Sequence, residues 1–354
     1  MPPSTQRNSS RFVFLIGAAI LLTGALCTAG WLHRQSRIAA ALPQRAGSTN
    51  SPARAVVRLR LDTQPDPPHP APTSSPVSDA ESTPRSPRFE ISLDPMADFH
   101  QDLAKALLHE LSPILPDLSK FLGSQNWNSA DPQYQRAAFD LIDAADHDTS
   151  DKRPALLLAA DILAKEIICP TENKSECDRI RGEFARRKLT LQYSELGGGF
   201  YYQRDLLWKV WQQYSATDWG ERAFVLLLDQ GWDTSTICAK GSEQFREVIR
   251  QGTSFLEEHP ASPYRPVVTS MVAQAYATWW SLANETTTSP MADYVDPKLY
   301  REGSEPARLK AMGYFEEVAR LDPDTKFGEY ARQILPALGQ RQVQTNYRFF
   351  CVYD

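Results

Sequence analysis

The sequence predicts an all-α body carried behind one transmembrane helix and a disordered proline-rich linker. Three observations predict it: an uncharged apolar run from Phe12 to Trp31, a proline-littered stretch after it, and helical periodicity from Met96 onward. The boundaries that follow are a tail over 1–11, an anchor over 12–31, a linker over 32–95, a helical region over 96–202, helical repeats over 203–338 and an extended tail over 339–354.

At ~1.5 Å per residue the run Phe12 to Trp31 is just long enough to cross a ~30 Å hydrocarbon core. A cleaved signal peptide is the competing reading, since Cys27-Thr28-Ala29 and Ala39-Ala40-Ala41 offer small residues, but its apolar core would span only ~7 to 15 residues. Leu26 stands before Cys27 where a lipid-attachment motif wants Gly or Ala. Arg7 and Arg11 face Arg34, Arg37 and Arg45 across the run, so the positive-inside rule scarcely sets an orientation. The short N-terminal tail and the cysteines described below favour an anchor in a bacterial inner membrane with the body in the periplasm.

The linker holds Pro43, Pro52, Pro65, Pro67, Pro68, Pro70, Pro72, Pro76, Pro84 and Pro87 among Ser, Thr and Ala. Such a composition cannot bury enough apolar surface to offset its ordering entropy. A flexible coil of ~60 residues averages roughly 45 Å end to end. One interruption, Val56-Val57-Arg58-Leu59-Arg60-Leu61, alternates apolar and basic residues and reads as solvated linker or a short docking motif. The net charge of −5, without a basic stripe interleaved with aromatics, argues against a nucleic-acid partner.

In the body, Phe99, Leu103, Leu107 and Leu111 form one apolar stripe. Asp131 followed by Pro132 reads as a helix cap with proline at the first helical position. A helix from Pro154 ends near Cys169-Pro170, and the next is predicted from about Glu176 to Leu196, stopped by Gly197-Gly198-Gly199. Leu206, Leu207, Val210, Trp211 and Tyr214 make a further stripe. The segment Thr217-Asp218-Trp219-Gly220-Glu221-Arg222-Ala223 recurs as Thr325-Lys326-Phe327-Gly328-Glu329-Tyr330-Ala331, with a looser copy at Pro260-Ala261-Ser262-Pro263-Tyr264. In each copy a Ser or Thr is placed to cap the coming helix, which implies helical hairpins that bury the face a neighbour leaves open.

From about Gln203 to Leu338 the chain resembles tetratricopeptide repeats, especially the long-helix form of periplasmic lipoproteins of outer-membrane barrel assembly. Ala311, Phe315, Val318 and Pro323 carry the second-helix spacing, and Phe245 to Pro260 repeats it more loosely. Tyr276 departs, falling about three residues later than the family pattern, and roughly thirty extra residues separate the copies ending at Pro260 and Pro323. The resemblance implies an α-solenoid of TPR-like hairpins and a role in envelope assembly or maintenance.

Cys169 and Cys177 bracket a short loop between two predicted helices, a good place for a disulfide and a pointer to an oxidising compartment. Two unpaired thiols are the alternative. Cys238 and Cys351 are a second possible pair. No zinc spacing, phosphate-binding loop, nucleophile elbow or dinucleotide fingerprint is found, so no cofactor or metal is expected. Asp146 to Asp151 starts like a calcium loop and then fails, with Asp151 where Gly is needed and Leu157 where the Glu should be. His100 and His109 lack a metal spacing and read as surface residues.

Most of the dense aromatics from Phe200 to Trp232 are expected in the core, with Tyr202, Trp208 and Trp280 the candidates to line a groove for a peptide or protein partner. The function expected is therefore a non-catalytic scaffold held at the membrane. A cell-wall-active enzyme is the rival, with Glu195 or Glu221 as the carboxylate to inspect, and a self-assembling module is the third reading.

Overall fold

The computed structural model describes residues 87–122, 131–194, 198–232, 243–285, 295–345 and 347–350. The run Phe12 to Trp31, most of the linker, Glu195, Cys238 and Cys351 lie outside the described residues. Among the described residues no helix is long and apolar enough to cross a membrane.

The body is mostly helical. In chain order it comprises β1 (Arg88–Phe89), α1 (Ala97–Leu111), α2 (Leu118–Leu122), α3 (Pro132–His147), α4 (Arg153–Lys165), β2 (Cys169–Pro170), α5 (Lys174–Arg186), β3 (Leu191–Ser194) and β4 (Gly199–Tyr202). It continues with α6 (Asp205–Tyr214), α7 (Asp218–Asp229), α8 (Gln244–Glu258), α9 (Arg265–Ala283), a 3-10 turn (Pro297–Tyr300), α10 (Ser304–Leu321), α11 (Lys326–Gly339) and β5 (Val343–Gln344).

Local chemistry explains the helix starts. Asp131 Oδ1 accepts from Gln133 N at 2.8 Å, with Pro132 opening α3. The repeated motif has one geometry in both places. Thr217 Oγ1 accepts from Gly220 N at 3.2 Å and donates to Tyr214 O at 2.7 Å. Thr325 Oγ1 likewise accepts from Gly328 N at 3.4 Å and donates to Asp322 O at 3.0 Å. A Cβ on Gly220 would stand 1.9 Å from Tyr214 O, and one on Gly328 would stand 2.2 Å from Asp322 O. Glycine is therefore the residue that lets α7 and α11 fold back tightly on the turn before them. The looser copy differs: Ser262 Oγ accepts from Tyr264 N at 3.1 Å within the turn, and α9 begins after it without a side-chain cap.

Two helices run through the interior. In α4 the residues Pro154 to Asp161 are all buried, and in α9 those from Val267 to Thr278 are, because both sequences are rich in small and apolar residues on every face. Helix α4 packs against α3 and α6 and touches α1 and α7, while α9 packs against α8 and α10 and touches α7 and α11. Consecutive helices pack on one another from α6 to α11, an arrangement compatible with a helical repeat fold.

Two expectations are corrected. The helix expected to reach Leu196 stops at Arg186, and Leu191–Ser194 pairs antiparallel with Gly199–Tyr202, which in turn pairs with Cys169–Pro170. Lys188 at φ 59° turns the chain, and the alternating Leu191-Gln192-Tyr193-Ser194 suits a strand better than a helix end. The all-α class thus holds only coarsely, since small sheets are present. The folded body also begins before residue 96. Val343 N donates to Pro87 O at 2.9 Å and Thr345 N to Phe89 O at 3.1 Å, so β1 runs parallel to β5, and Arg88 pairs with Glu285 beyond the end of α9. Leu93 and Ile91 pack half-buried against the core and Met96 is fully buried, which is why the linker composition breaks off there. The placement of the groove aromatics is described below.

A buried ion pair joins α4 to α6. Arg204, held at φ 58°, points its guanidinium at Asp161, with Nε and Nη2 at 2.6 and 2.5 Å from Oδ2. Asp161 Oδ1 also accepts from Leu207 N at 3.2 Å, and Tyr202 OH accepts from Leu206 N at 2.7 Å. The distant Asp161 and the neighbouring Tyr202 thereby satisfy the N-terminus of α6, where Arg204 itself offers no cap.

Candidate functional site

One face of α9 carries a run of buried polar residues. Ser270, Gln274, Thr278 and Ser281 recur at helical spacing and form a buried stripe on an otherwise apolar helix. Burying such groups is costly unless they find partners. Gln274 Nε2 donates to Ser270 Oγ at 3.2 Å. The remaining partners come from the chain's own C-terminal tail: Thr278 Oγ1 donates to Arg348 O at 2.7 Å, Ser281 Oγ accepts from Gln344 N at 3.2 Å, and Gln274 Oε1 accepts from Arg348 Nη1 at 3.3 Å.

Neighbouring helices complete the grip. Arg348 pairs with Asp229 at the end of α7, and His100 Nε2 from α1 stands 3.6 Å from the same carboxylate. Burial pushes the Asp229 carboxyl up, but the neighbouring His100 imidazole and the Arg348 charge outweigh this and hold it below the usual carboxylate range. Gln344 Nε2 donates to Tyr330 OH on α11 at 3.1 Å, and burial pushes that phenol up. Phe349 and Phe350 are buried, with Phe245 N donating to Phe349 O at 2.8 Å. From the other side, Asp98 Oδ2 on α1 accepts from Lys326 N at 2.8 Å. A cavity of about 600 Å³ lies between residues 90–95 and this face, lined by Gln274, Tyr330, Tyr347 and Arg348.

The aromatics singled out in the sequence are not brought together there. Tyr202 is fully buried, 5.5 Å from the Phe184 ring, and Trp280 is 5 % exposed. Trp208 is half-buried, edge-on to Trp232 at 5.2 Å. Apolar bulk draws Tyr202 and Trp280 into the core between helices, while Trp208 keeps part of its ring at the surface. The stripe on α9 was missed because polar residues at i, i+4, i+8 and i+11 were hidden among the aromatics. Their spacing on a helix otherwise buried all round is the signal that would have found them.

Cys169 and Cys177 are joined by a disulfide with Cα atoms 4.6 Å apart, tying β2 to the first turn of α5. Asn173 caps that helix, accepting from Glu176 N at 3.3 Å. The turn at Asp146 to Asp151 is closed by its own side chains, Asp148 Oδ1 accepting from Ser150 N at 2.6 Å. Among the described residues no group of three or more His, Cys, Asp or Glu is placed to hold a metal ion. His109 is exposed.

Glu221 sits in a cluster whose residue types suggest a triad but whose geometry does not. Ser262 Oγ donates to Glu221 Oε2 at 2.8 Å, and His259 Nδ1 lies 3.2 Å from Oε1. The hydroxyl therefore has the carboxylate as its acceptor, whereas an activated serine needs the imidazole. The cluster clasps the α8–α9 turn to the first turn of α7. Comparison with protein-family models, with curated proteins and with solved structures finds no match to this chain.

Proposed function

We propose that the chain is a non-catalytic interaction scaffold whose α9 face, with α7 and α11, recognises a peptide segment of a protein partner. The observation that carries the reading is that this face already holds segments of its own tail, residues 343–345 and 347–350, through two main-chain contacts, an ion pair and buried aromatics. These are the elements by which helical grooves take linear segments. In this reading α7–α8 and α9–α10 are TPR-like pairs closed by α11, supported by the matching Thr–Gly turns that open α7 and α11. The resemblance points to envelope assembly or maintenance, and the run Phe12 to Trp31 anchors the body at the membrane. The Cys169–Cys177 disulfide supports a periplasmic body, because such bonds persist in oxidising compartments.

The test is a chain ending at Gln340 offered a fluorescein-labelled peptide of residues 341–354. Saturable binding that weakens about tenfold with Thr278→Val or Asp229→Asn is expected; a truncated chain that is folded and takes up no peptide overturns the reading. Topology is checked separately, by protease added to the periplasmic side: a body protected until the inner membrane is broken would refute a periplasmic location.

A further inference from the structure

Three consecutive residues anchor the tail. Arg348 O accepts from Thr278 Oγ1 at 2.7 Å, while the Arg348 side chain sends one nitrogen to Asp229 and another to Gln274 Oε1 at 3.3 Å. Its guanidinium also stands 5.3 Å from the centre of the Phe349 ring. Phe349 turns the chain at φ 65°, and its carbonyl accepts from Phe245 N at 2.8 Å. Phe350, 6 % exposed, lies edge-on to the Tyr300 ring at 6.1 Å. Charge distinguishes these anchors. Glu90 and Asp94 line the cavity beside the tail, and among the described residues of that lining the one cation is Arg348 itself. With the tail lifted away, Asp229 loses its guanidinium and the lining keeps only Glu90 and Asp94 as its charges, so the face attracts a basic segment and repels an acidic one.

Resting on the reading of this face as a peptide site, we propose that the partner's segment carries an arginine followed by two aromatic residues, and that Tyr347 to Phe350 hold its place until it arrives. Arginine is specified over lysine because acceptors on two helices, Asp229 on α7 and Gln274 on α9, take two nitrogens of one planar group. An ammonium on a flexible stem does not match that fork. The aromatic pair is specified because both rings are buried, one of them edge-on against Tyr300. A tethered tail acts at an effective concentration on the order of 1 mM, so a partner's segment displaces it only where it matches all three anchors.

The test uses the full chain in detergent and a fluorescein-labelled peptide of residues 343–350, followed by anisotropy. Arg348→Glu in the full chain sets the tail's charge against Asp229 and vacates the face, so this variant should bind the peptide at least about tenfold more tightly than the unaltered chain does. On the vacated face, Arg348→Lys in the peptide should weaken binding about fivefold, Arg348→Glu about a hundredfold, and Phe349→Ser or Phe350→Ser about tenfold. Where the chain variant fails to fold, hydrogen exchange of residues 347–350 in the unaltered chain reads the same competition: excess peptide should speed it, and the Arg348→Glu peptide should not. Saturable binding that is indifferent to the residue at the arginine position, or equally tight in the unaltered chain, overturns this proposal and leaves the peptide site standing. No saturable binding by any of these peptides, with tail exchange unmoved, overturns both. Sedimentation of the unaltered chain covers the remaining occupant: dimers that are lost with Arg348→Glu make it a second copy and overturn the partner.

Discussion

Replacing Asp161 with Ala removes the buried partner of Arg204 and the acceptor for Leu207 N in one step. Both side chains of the pair are nearly inaccessible, at 0 % and 3 % exposure, so no solvent replaces the lost carboxylate. Stranding one member of such a pair costs about 3–5 kcal/mol, and losing a helix cap adds about 1 kcal/mol. We expect Asp161→Ala to destabilise the body by at least about 4 kcal/mol, lowering Tm by roughly 8–16 °C. Urea unfolding of the full chain followed by tryptophan fluorescence measures it. Arg204→Met should cost a similar amount, but Asp161→Ala/Arg204→Met should fall about 2–3 kcal/mol short of the sum, because the double variant buries no unpaired charge. A single-variant cost below about 1 kcal/mol, or strict additivity, would refute the assignment of a coupled buried pair that caps α6.

Gly220→Ala places a methyl against Tyr214 O and should destabilise by about 2–3 kcal/mol or more, whereas Gly313→Ala, where a Cβ meets nothing within 4 Å, should stabilise α10 by about 0.5–1 kcal/mol; thermal melts of the two variants decide. Reducing Cys169–Cys177 should lower stability by ~2.5 kcal/mol on the loop-entropy account, read as a shift of the urea midpoint with and without reductant. The depressed pKa of Asp229 means that its stabilisation is fully present above the usual carboxylate value of about 4 and is lost as pH falls through the lower folded value. Hydrogen exchange of residues 343–350 should therefore stay slow from pH 7 to about 4 and accelerate below it; Asp229→Asn should exchange fast throughout that range.

Local chemistry made the helical body legible. The stripe through Phe99, Leu103, Leu107 and Leu111, the Asp131-Pro132 cap and the paired Thr–Gly turns depend on residues within one or two turns of each other, and the structure describes each of them as the sequence suggests. The hairpin after Arg186 was harder to read. Tyr193 and Phe200, seven positions apart, lie opposite one another only because two four-residue strands pair, and so short an alternation is easily read as the end of the preceding helix. The candidate site was less legible still, since aromatic bulk serves a core as well as a groove.

The sequence by itself determined where several helices start and which faces are apolar, and it marked Cys169 and Cys177 as a good place for a disulfide, because short-range sterics, capping and periodicity act within a few residues. Only the tertiary structure decided that Arg204 reaches Asp161, that β1 meets β5, and that the tail at Arg348 closes over Gln274 and Thr278. Those contacts join residues up to 256 positions apart, as Thr345 Oγ1 and Phe89 O are. Their partners are selected by which buried polar groups remain unsatisfied once the apolar faces have packed, a condition that no local stretch of sequence encodes.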